Sequence, residues 1–412
     1  MNASPEKELR NPWEDRADFP RIEKRNLAFS LLIVLLCSLT LPLALFYESV
    51  SLLILAALFV YVVAMVRVPS SVTLLLLTVF ASVSLTQSLA IGAMILALII
   101  GTGATAFLFT AMERSYVLLL LPTAACVASY AVLGDWRLSL LAFAFLPAAV
   151  LLAVATRLGR SRTSAVCFAE GGFLLVILGV GGYLLYQYCQ EAGISIAEYV
   201  DRLRESEKVF SFASEFMERM FAPFQTLGAE QDPEVMETLL SEENIRMLID
   251  TFFNILPALF LVACSIIAFE AQLLLNACYR TVGWKQVLTP AACVFTMSPF
   301  AAVIYFVSFV ASLLVSLFGW DYTLAVAVID NLNLILLPGF CVVGATMLTL
   351  SFARAKGGAR IFWILLVGGF LCCSSTGGLS LLALFGANSV VLGAMHRRML
   401  EKMQNGGDDS SL

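Results

Sequence analysis

The sequence predicts an all-α, polytopic transmembrane helix bundle of about twelve spans, with ten or eleven as alternatives, and with both termini cytoplasmic. Of its 412 residues, 60% are hydrophobic and only 13% are charged, which lies outside the range of soluble globular proteins. The apolar residues form long uncharged runs, and a helix of about 20 such residues crosses a ~30 Å hydrocarbon layer. Because the runs are continuous and do not alternate at a period of two, they are not those of an outer-membrane β-barrel.

The apolar runs give the order of the predicted spans. They are Leu27–Phe46, Ser49–Val66, Val68–Thr86, Ser88–Met112, Tyr116–Leu133, Leu138–Thr156, Ser164–Tyr188, Thr251–Leu275, Leu288–Phe318, Tyr322–Phe352 and a final pair within Ile361–Met395. The last run would be roughly 52 Å long as one helix, which is too long for an ordinary span. Its central segment Cys372–Gly378 is rich in Ser, Thr and Gly, so we interpret it as the turn of a hairpin.

Lys and Arg occur in every second gap between the runs, and this alternation predicts the topology. These gaps hold 19 of the 25 basic residues, beginning with six in Met1–Asn26 and ending with Arg397, Arg398 and Lys402. Cytoplasmic loops retain Lys and Arg because moving them across the bilayer is unfavourable. The same alternation predicts a multi-pass chain with its basic loops on the cytoplasmic side of the membrane.

Six regions follow from these patterns. They are a cytoplasmic N-terminal tail (1–26), a six-span membrane half (27–156), a seventh span with its preceding basic loop (157–188), an extracytoplasmic amphipathic helical segment (189–250), a C-terminal membrane half (251–398) and a disordered tail (399–412).

The long acidic segment Gln190–Asp250 holds fourteen Asp and Glu and five Lys and Arg. Its apolar residues recur at helical spacing and predict one buried helical face; they are Val209, Phe212, Phe216, Met220 and Phe224. Asp232-Pro233-Glu234 predicts a second helix, and a third is predicted to start near Ser241 and to continue into the span from Thr251. The segment is either a packed cap or lid, or an amphipathic hairpin lying on the outer leaflet.

Ionisable and strongly polar residues inside the spans are the candidate functional residues, since such groups are costly in hydrocarbon. The sequence indicates a candidate intramembrane polar site of five residues: Asp330, Asn333, Glu270, Asn388 and Glu170. Asp330 is the sharpest candidate, because it lies about nine residues into its span with Asn333 on the same helical face. Each of these side chains either binds a cation, proton or polar substrate, or joins helices by hydrogen bonds. Asp330 is predicted to face the bundle, with Glu270 or Asn388 as its partner.

No catalytic, cofactor-binding or metal-binding motif is visible. The sequence contains no phosphate-cradling glycine loop with lysine, zinc-protease motif or serine nucleophile elbow. Nine of the ten cysteines lie in apolar runs without the paired spacing of a zinc site. The net charge of −5 averages a basic face with one acidic segment, so nothing in it points to nucleic acid.

The order of features from Asn254 to Arg398 resembles the YybS-like family of uncharacterised bacterial polytopic membrane proteins. The features are Asn-Ile-Leu-Pro at a span start, Glu270–Arg280, Asn331-Leu-Asn333, the basic loop Ala353–Arg360 and a terminal hairpin ending LLALFGANSVVLGAMHRR. The resemblance implies a multi-pass integral membrane protein of the bacterial cytoplasmic membrane, without assigned chemistry. In that family the N-terminal half is similar to the six-helix substrate-binding subunits of energy-coupling-factor vitamin transporters, and Leu27–Thr156 contains six predicted spans.

Three functions remain open at this stage. The first is a non-enzymatic membrane protein that binds or transports a small molecule or lipid. The second is a structural or assembly scaffold that contacts a membrane-protein partner through its external cap and basic loops. The third is a substrate-binding subunit similar to those of energy-coupling-factor transporters. An enzyme is disfavoured because no catalytic constellation is visible, and the lipid bilayer is the one partner common to all three.

Overall fold

The computed structural model of the chain describes residues 24–44, 55–62, 75–80, 88–112, 118–226, 241–282, 297–318, 324–354 and 375–405, together with single residues 46, 51 and 83. Within these residues every regular element is helical, which confirms the predicted all-α class. Seven helical stretches are long and apolar enough to cross a membrane, consistent with a multi-pass membrane protein. They are Asn26–Leu43, Leu89–Ala111, Trp136–Arg157, Arg162–Ala192, Glu242–Val282, Ala325–Leu348 and Gly378–Met399.

The labelled helices follow the order of the apolar runs. They are α1 (Lys24–Leu43), α2 (Leu89–Ala111), α3 (Leu120–Leu133), α4 (Trp136–Ser139), α5 (Leu146–Arg157), α6 (Arg162–Val176), α7 (Gly182–Ala192), α8 (Ile196–Arg204), α9 (Glu207–Thr226), α10 (Glu242–Val282), α11 (Pro299–Phe318), α12 (Leu324–Arg354) and α13 (Ser375–Asn405). A 3-10 turn, Leu140–Phe143, joins α4 to α5, and a π-helical turn, Ile177–Gly181, joins α6 to α7.

The chain divides into two compact units. The first comprises Met1–Gly179, Ala263–Met297 and Ala345–Ala353, and the second comprises Val180–Val262, Ser298–Gly344 and Arg354–Leu412. Helix α10 passes from the second unit into the first at Ala263, so its two halves have different neighbours.

The core of the first unit is formed by α1, residues 55–62, α2, α5, α6 and the C-terminal half of α10. Small residues bring several of these helices together. Gly172 on α6 lies against the backbone of Ala148 on α5, where a Cβ would overlap the chain. Ser88 caps the start of α2 and Ser161 the start of α6, since their hydroxyls accept hydrogen bonds from Ile91 N and Ser164 N.

In the second unit, the start of α10 packs against α9. Ala213, Ile245 and Ile249 form a small buried cluster, with Val209, Phe210 and Phe253 packed against it. Phe212, which the sequence places on the same helical face as Val209, is 61% exposed and lies outside this cluster. The face of α9 that packs against α10 thus includes Ala213 and not Phe212, and the prediction that Phe212 contacts protein or lipid stays a prediction. Met220, Phe224 and the predicted helix at Asp232-Pro233-Glu234 lie outside the residues described at side-chain level.

Helix α10 runs for 41 residues without interruption from Glu242 to Val282. Ser241 precedes it, and its hydroxyl accepts a hydrogen bond from Asn244 N. The acidic segment therefore continues directly into the apolar span, as the sequence predicts. Glu242 and Glu243 lie in the first turn, where the helix dipole favours negative charge.

The C-terminal hairpin is described only in part. Helix α13 begins at Ser375, so Ser375–Gly378 belong to a helix and not to the turn that the sequence places at Cys372–Gly378. The other predicted span of this pair, and the remainder of the turn, lie outside the described residues.

Candidate functional site: polar side chains on α10 and α12

Glu270 is a carboxylate buried within the C-terminal half of α10. Its side chain is 3% exposed, and its Oε1 accepts a hydrogen bond from the Thr78 hydroxyl. Its other oxygen, Oε2, is also buried and has no hydrogen-bond partner among the residues that the structure describes. A carboxylate in this setting retains one strong acceptor for a proton or a cation.

Two further polar contacts join α10 to α6 on either side of Glu270. Ser265 Oγ donates to Glu170 Oε1 at 2.8 Å, and Arg162 Nε donates to Gln272 Oε1 at 2.8 Å. Residue numbers rise along one helix as they fall along the other, so the two helices run antiparallel. The Arg162 guanidinium also lies 5.4 Å from the centre of the Phe269 ring.

Helix α2 crosses α10 next to Glu270. A Cβ at Gly103 would lie 2.8 Å from Leu274 Cδ2 and 3.0 Å from the Ala271 carbonyl oxygen, so a larger residue here would require Leu274 or the α10 backbone to shift. Thr102 and Thr105 lie on either side of this glycine, and both hydroxyls are buried without a hydrogen-bond partner among the described residues. Glu270 is one residue from the crossing on the other helix.

In the second unit, α11 and α12 share a ladder of polar contacts. Asp330 Oδ1 accepts from Ser312 Oγ at 3.1 Å. One turn along, Asn333 Oδ1 accepts from Ser308 Oγ at 2.7 Å and its Nδ2 donates to the Ser308 carbonyl at 3.1 Å. Ser312 is thus a described hydrogen-bond donor to Asp330, and the predicted partnership of Asp330 with Glu270 or Asn388 stays a prediction.

Asn331 lies between these residues and points to α10. Its Nδ2 donates to the Asn254 carbonyl at 2.9 Å and to Ala327 O at 2.7 Å, while its Oδ1 accepts from Ala258 N at 3.2 Å. Asn254 O and Ala258 N are the groups that an undistorted helix pairs with each other. Pro257 lies between them, lacks an N–H and disturbs the preceding turn. Asn331 therefore stabilises the backbone of α10 at its internal proline.

The five residues that the sequence singles out are divided between the two units of the chain. Glu270 and Glu170 belong to the first unit, while Asp330 and Asn333 belong to the second. Asn388 is exposed on α13 and takes no part in either set.

The sequence does not indicate several of the hydrogen-bond partners of these residues. Thr78 is 192 residues from Glu270, and a single threonine in an apolar run carries no signal of its partner. Ser312 and Ser308, which donate to Asp330 and Asn333, likewise carry no sequence signal of their partners. The GTGAT sequence at 101–105, in which glycine alternates with threonine within a span, is a signal that points to the crossing of α2 with α10.

Metal ligands do not gather within the described part of the chain, where no group of three His, Cys, Asp or Glu side chains is placed to hold an ion. The seven cysteines described there are free thiols. The chemistry that this arrangement supports is hydrogen bonding and proton or cation binding.

Comparison with known proteins finds no match to any family model, to any characterised protein or to any solved structure.

Proposed function

We propose that this chain is a membrane protein that binds and transports a small molecule without catalytic chemistry of its own, with Glu270 as its proton- or cation-binding group. The observation that carries the proposal is the buried Oε2 of Glu270, which has no partner among the described residues. A charge within a membrane span costs at least ~2.5 kcal/mol even on insertion scales. A carboxylate retained there at such a cost is stabilised by taking up a proton or by binding a cation.

The surroundings of Glu270 support a binding role over a purely structural one. Glu170 likewise accepts one hydrogen bond, from Ser265, but its side chain is only partly buried, whereas Glu270 is 3% exposed. Glu270 uses one oxygen on Thr78, and its other oxygen is buried without a partner among the described residues. Unsatisfied buried polar groups are rare in folded proteins, so this oxygen favours a proton or a polar ligand at Glu270.

The topology proposed with this function has twelve spans and cytoplasmic termini, in a bacterial cytoplasmic membrane. Basic residues in alternate gaps support it. The resemblance to the YybS-like family, whose N-terminal half is similar to vitamin-binding transporter subunits, agrees with a binding protein for a small solute.

Native mass spectrometry of the protein purified from its own membranes tests the binding function. The wild type is compared with Glu270→Gln, which keeps the shape of the side chain, and with Glu170→Gln, a carboxylate on the adjacent helix whose oxygen is already bonded. We expect a co-purifying small molecule on the wild type and on Glu170→Gln, and its loss from Glu270→Gln. Equal retention by all three proteins would exclude Glu270 as the binding group, and a protein that carries only another subunit would point to the scaffold.

Infrared difference spectroscopy on reconstituted protein tests the proton-binding role directly. A pH change should produce a carboxyl C=O band in the wild type that disappears in Glu270→Gln and remains in Glu170→Gln. An unchanged band in Glu270→Gln would exclude Glu270 as the group that takes up the proton. A Glu270 band that responds to sodium or potassium and not to pH would favour the cation form of the proposal over the proton form.

A further inference from the structure

A cavity of about 400 Å³ lies in the second unit, between the end of α8 and the start of α10. Its lining is charged with both signs: Asp201, Arg204, Glu205, Arg246, Ile249 and Asp250. The volume falls within the ordinary range for small-ligand sites. Two guanidinium groups and three carboxylates around one space offer hydrogen-bond donors and acceptors for a ligand that carries both charges.

Both arginines are held in place by aromatic rings. The Arg204 guanidinium lies 5.4 Å from the centre of the Phe253 ring, and that of Arg246 lies 5.6 Å from the Phe210 ring. Stacking of this kind fixes the plane of the guanidinium and leaves its edge for hydrogen bonds to two oxygens of an oxyanion such as phosphate. Both rings pack against the buried cluster that contains Ile245 and Ile249, so the two arginines stack on a packed apolar surface.

The two arginines differ in how closely they are paired. Arg246 Nε and Nη2 donate to Glu242 Oε1, one turn earlier on α10, at 3.0 and 2.7 Å, whereas Arg204 is paired less closely. Arg204 Nη1 is 3.9 Å from Asp250 Oδ1, which exceeds hydrogen-bond distance. Arg204 Nε is buried and has no acceptor among the described residues. By contrast, Arg202 on the same helix pairs closely with Glu198 at 2.6 Å and lies outside the cavity lining.

The cavity lies where the acidic segment of the chain meets the apolar part of α10. The apolar part of α10 begins at Thr251, directly after Asp250. Helix α7 carries three exposed tyrosines, Tyr183, Tyr186 and Tyr188, and tyrosine is enriched where a span meets the lipid headgroups. The ring of Tyr188 lies 5.4 Å from that of Tyr199 on α8, which brings α8 to the same level.

From these observations we infer that the cavity between α8 and α10 binds a zwitterionic aminophosphate group, supplied by the headgroup of an ethanolamine phospholipid. The phosphate contacts Arg204 and the part of the Arg246 guanidinium that Glu242 does not occupy, because charge-assisted bonds to a guanidinium are strong and directional. The primary ammonium group contacts the carboxylates of Asp201, Glu205 and Asp250. An anionic lipid without an ammonium group leaves three carboxylates unpaired, and a choline headgroup lacks the N–H donors that these carboxylates accept.

The test is native mass spectrometry of the full-length protein in detergent, with equal amounts of dioleoyl phosphatidylethanolamine, phosphatidylglycerol and phosphatidylcholine. We expect phosphatidylethanolamine to bind about tenfold more tightly than the other two, and Arg204→Gln to lower its binding about tenfold. Arg202→Gln, on the same helix but outside the cavity, should bind like the wild type. Asp250→Asn should weaken phosphatidylethanolamine binding and leave phosphatidylglycerol binding unchanged.

Free phosphoethanolamine, titrated as a competitor, distinguishes the two sources of the group. Failure to compete at the lipid's own effective concentration supports the membrane headgroup, whereas displacement at equal concentration assigns the site to a soluble aminophosphate. Wild-type binding by Arg204→Gln and Asp250→Asn, both with unchanged melting temperatures, would overturn the inference. Equal binding of phosphatidylglycerol and phosphatidylethanolamine would also overturn it. Neither result bears on Glu270, which belongs to the other unit.

Discussion

The side-chain amide of Asn331 donates a hydrogen bond to the backbone carbonyl of Asn254, at 2.9 Å, across the interface between α12 and α10. Its carbonyl oxygen accepts from Ala258 N, so one side chain serves both backbone groups around Pro257. In a membrane the backbone has no water to replace such partners. The amide thus explains how α10 retains a proline within an apolar stretch.

Replacement of Asn331 by alanine is therefore expected to destabilise the protein. Interhelical hydrogen bonds in membrane proteins contribute about 1–2 kcal/mol at most, and Asn331→Ala removes contacts to two backbone groups at once. Thermal unfolding in detergent should show a lower melting temperature. Asn388→Ala is the matched control, because Asn388 is an exposed asparagine on α13 and its loss should change stability by less than about 0.5 kcal/mol. Identical melting temperatures for the two variants would contradict this role.

Gly386 on α13 and Gly393, two turns further along, provide a second matched pair. A Cβ at Gly386 would overlap the Phe340 carbonyl on α12, whereas a Cβ at Gly393 would meet no atom within 4 Å. We expect Gly386→Ala to separate α12 from α13 and lower the melting temperature. Gly393→Ala should be neutral or stabilising, by up to about 1 kcal/mol, because alanine favours helix more than glycine does. A stabilising effect at Gly386 would mean that the two helices do not rely on this contact.

The helices themselves were largely predictable from the sequence, because the length of an apolar run sets the length of a span. The predicted Ser88–Met112 corresponds to Leu89–Ala111, with Ser88 as the cap. The predicted turn at Cys372–Gly378 was wrong at its C-terminal end, where Ser375 begins a helix. Glycine and serine are common both in turns and in tightly packed membrane helices, so composition alone does not separate the two cases.

The polar residues of the candidate site stand out in the sequence, whereas their hydrogen-bond partners do not. Glu270 stands out because an ionisable group in an apolar run is rare. Its partner Thr78 does not, because hydroxyl residues are ordinary in such runs. The polarity of Asn388 is equally visible in the sequence, yet the residue is exposed, since the face that a single polar residue takes depends on helices far away in the chain.

Replacement of Arg162 by lysine tests whether α6 is joined to α10 by the planar shape of the arginine side chain and not only by its charge. The guanidinium donates to Gln272 and lies over the Phe269 ring, and a lysine cannot make both contacts in the same plane. We expect Arg162→Lys to lower the free energy of unfolding by about 1 kcal/mol. The control is Arg160→Lys, two residues earlier at an exposed position, which should be neutral. Equal unfolding free energies for the two variants would leave the charge as the sole requirement.

The proposed topology is tested most sharply across a single span, the one formed by α6, the π-helical turn and α7. Arg162–Ala192 is 31 residues long, or roughly 46 Å as a helix, which exceeds the ~30 Å hydrocarbon layer. Arginines precede it at Arg157 and Arg160, and the acidic segment follows it, so the chain should enter from the cytoplasm.

Single cysteines placed at Leu158 and Ala197, both exposed positions, flank this span in a protein whose ten native cysteines are replaced. A membrane-impermeant maleimide should label Ala197→Cys in intact cells and Leu158→Cys only after permeabilisation. Neither change removes a basic residue, so the charge pattern that sets the orientation is preserved. Labelling of both positions from outside would show that the segment does not cross, and labelling of Leu158→Cys alone would invert the topology. Either result would mean that the basic loop before this span is not cytoplasmic, and the proposed twelve-span arrangement requires that it is.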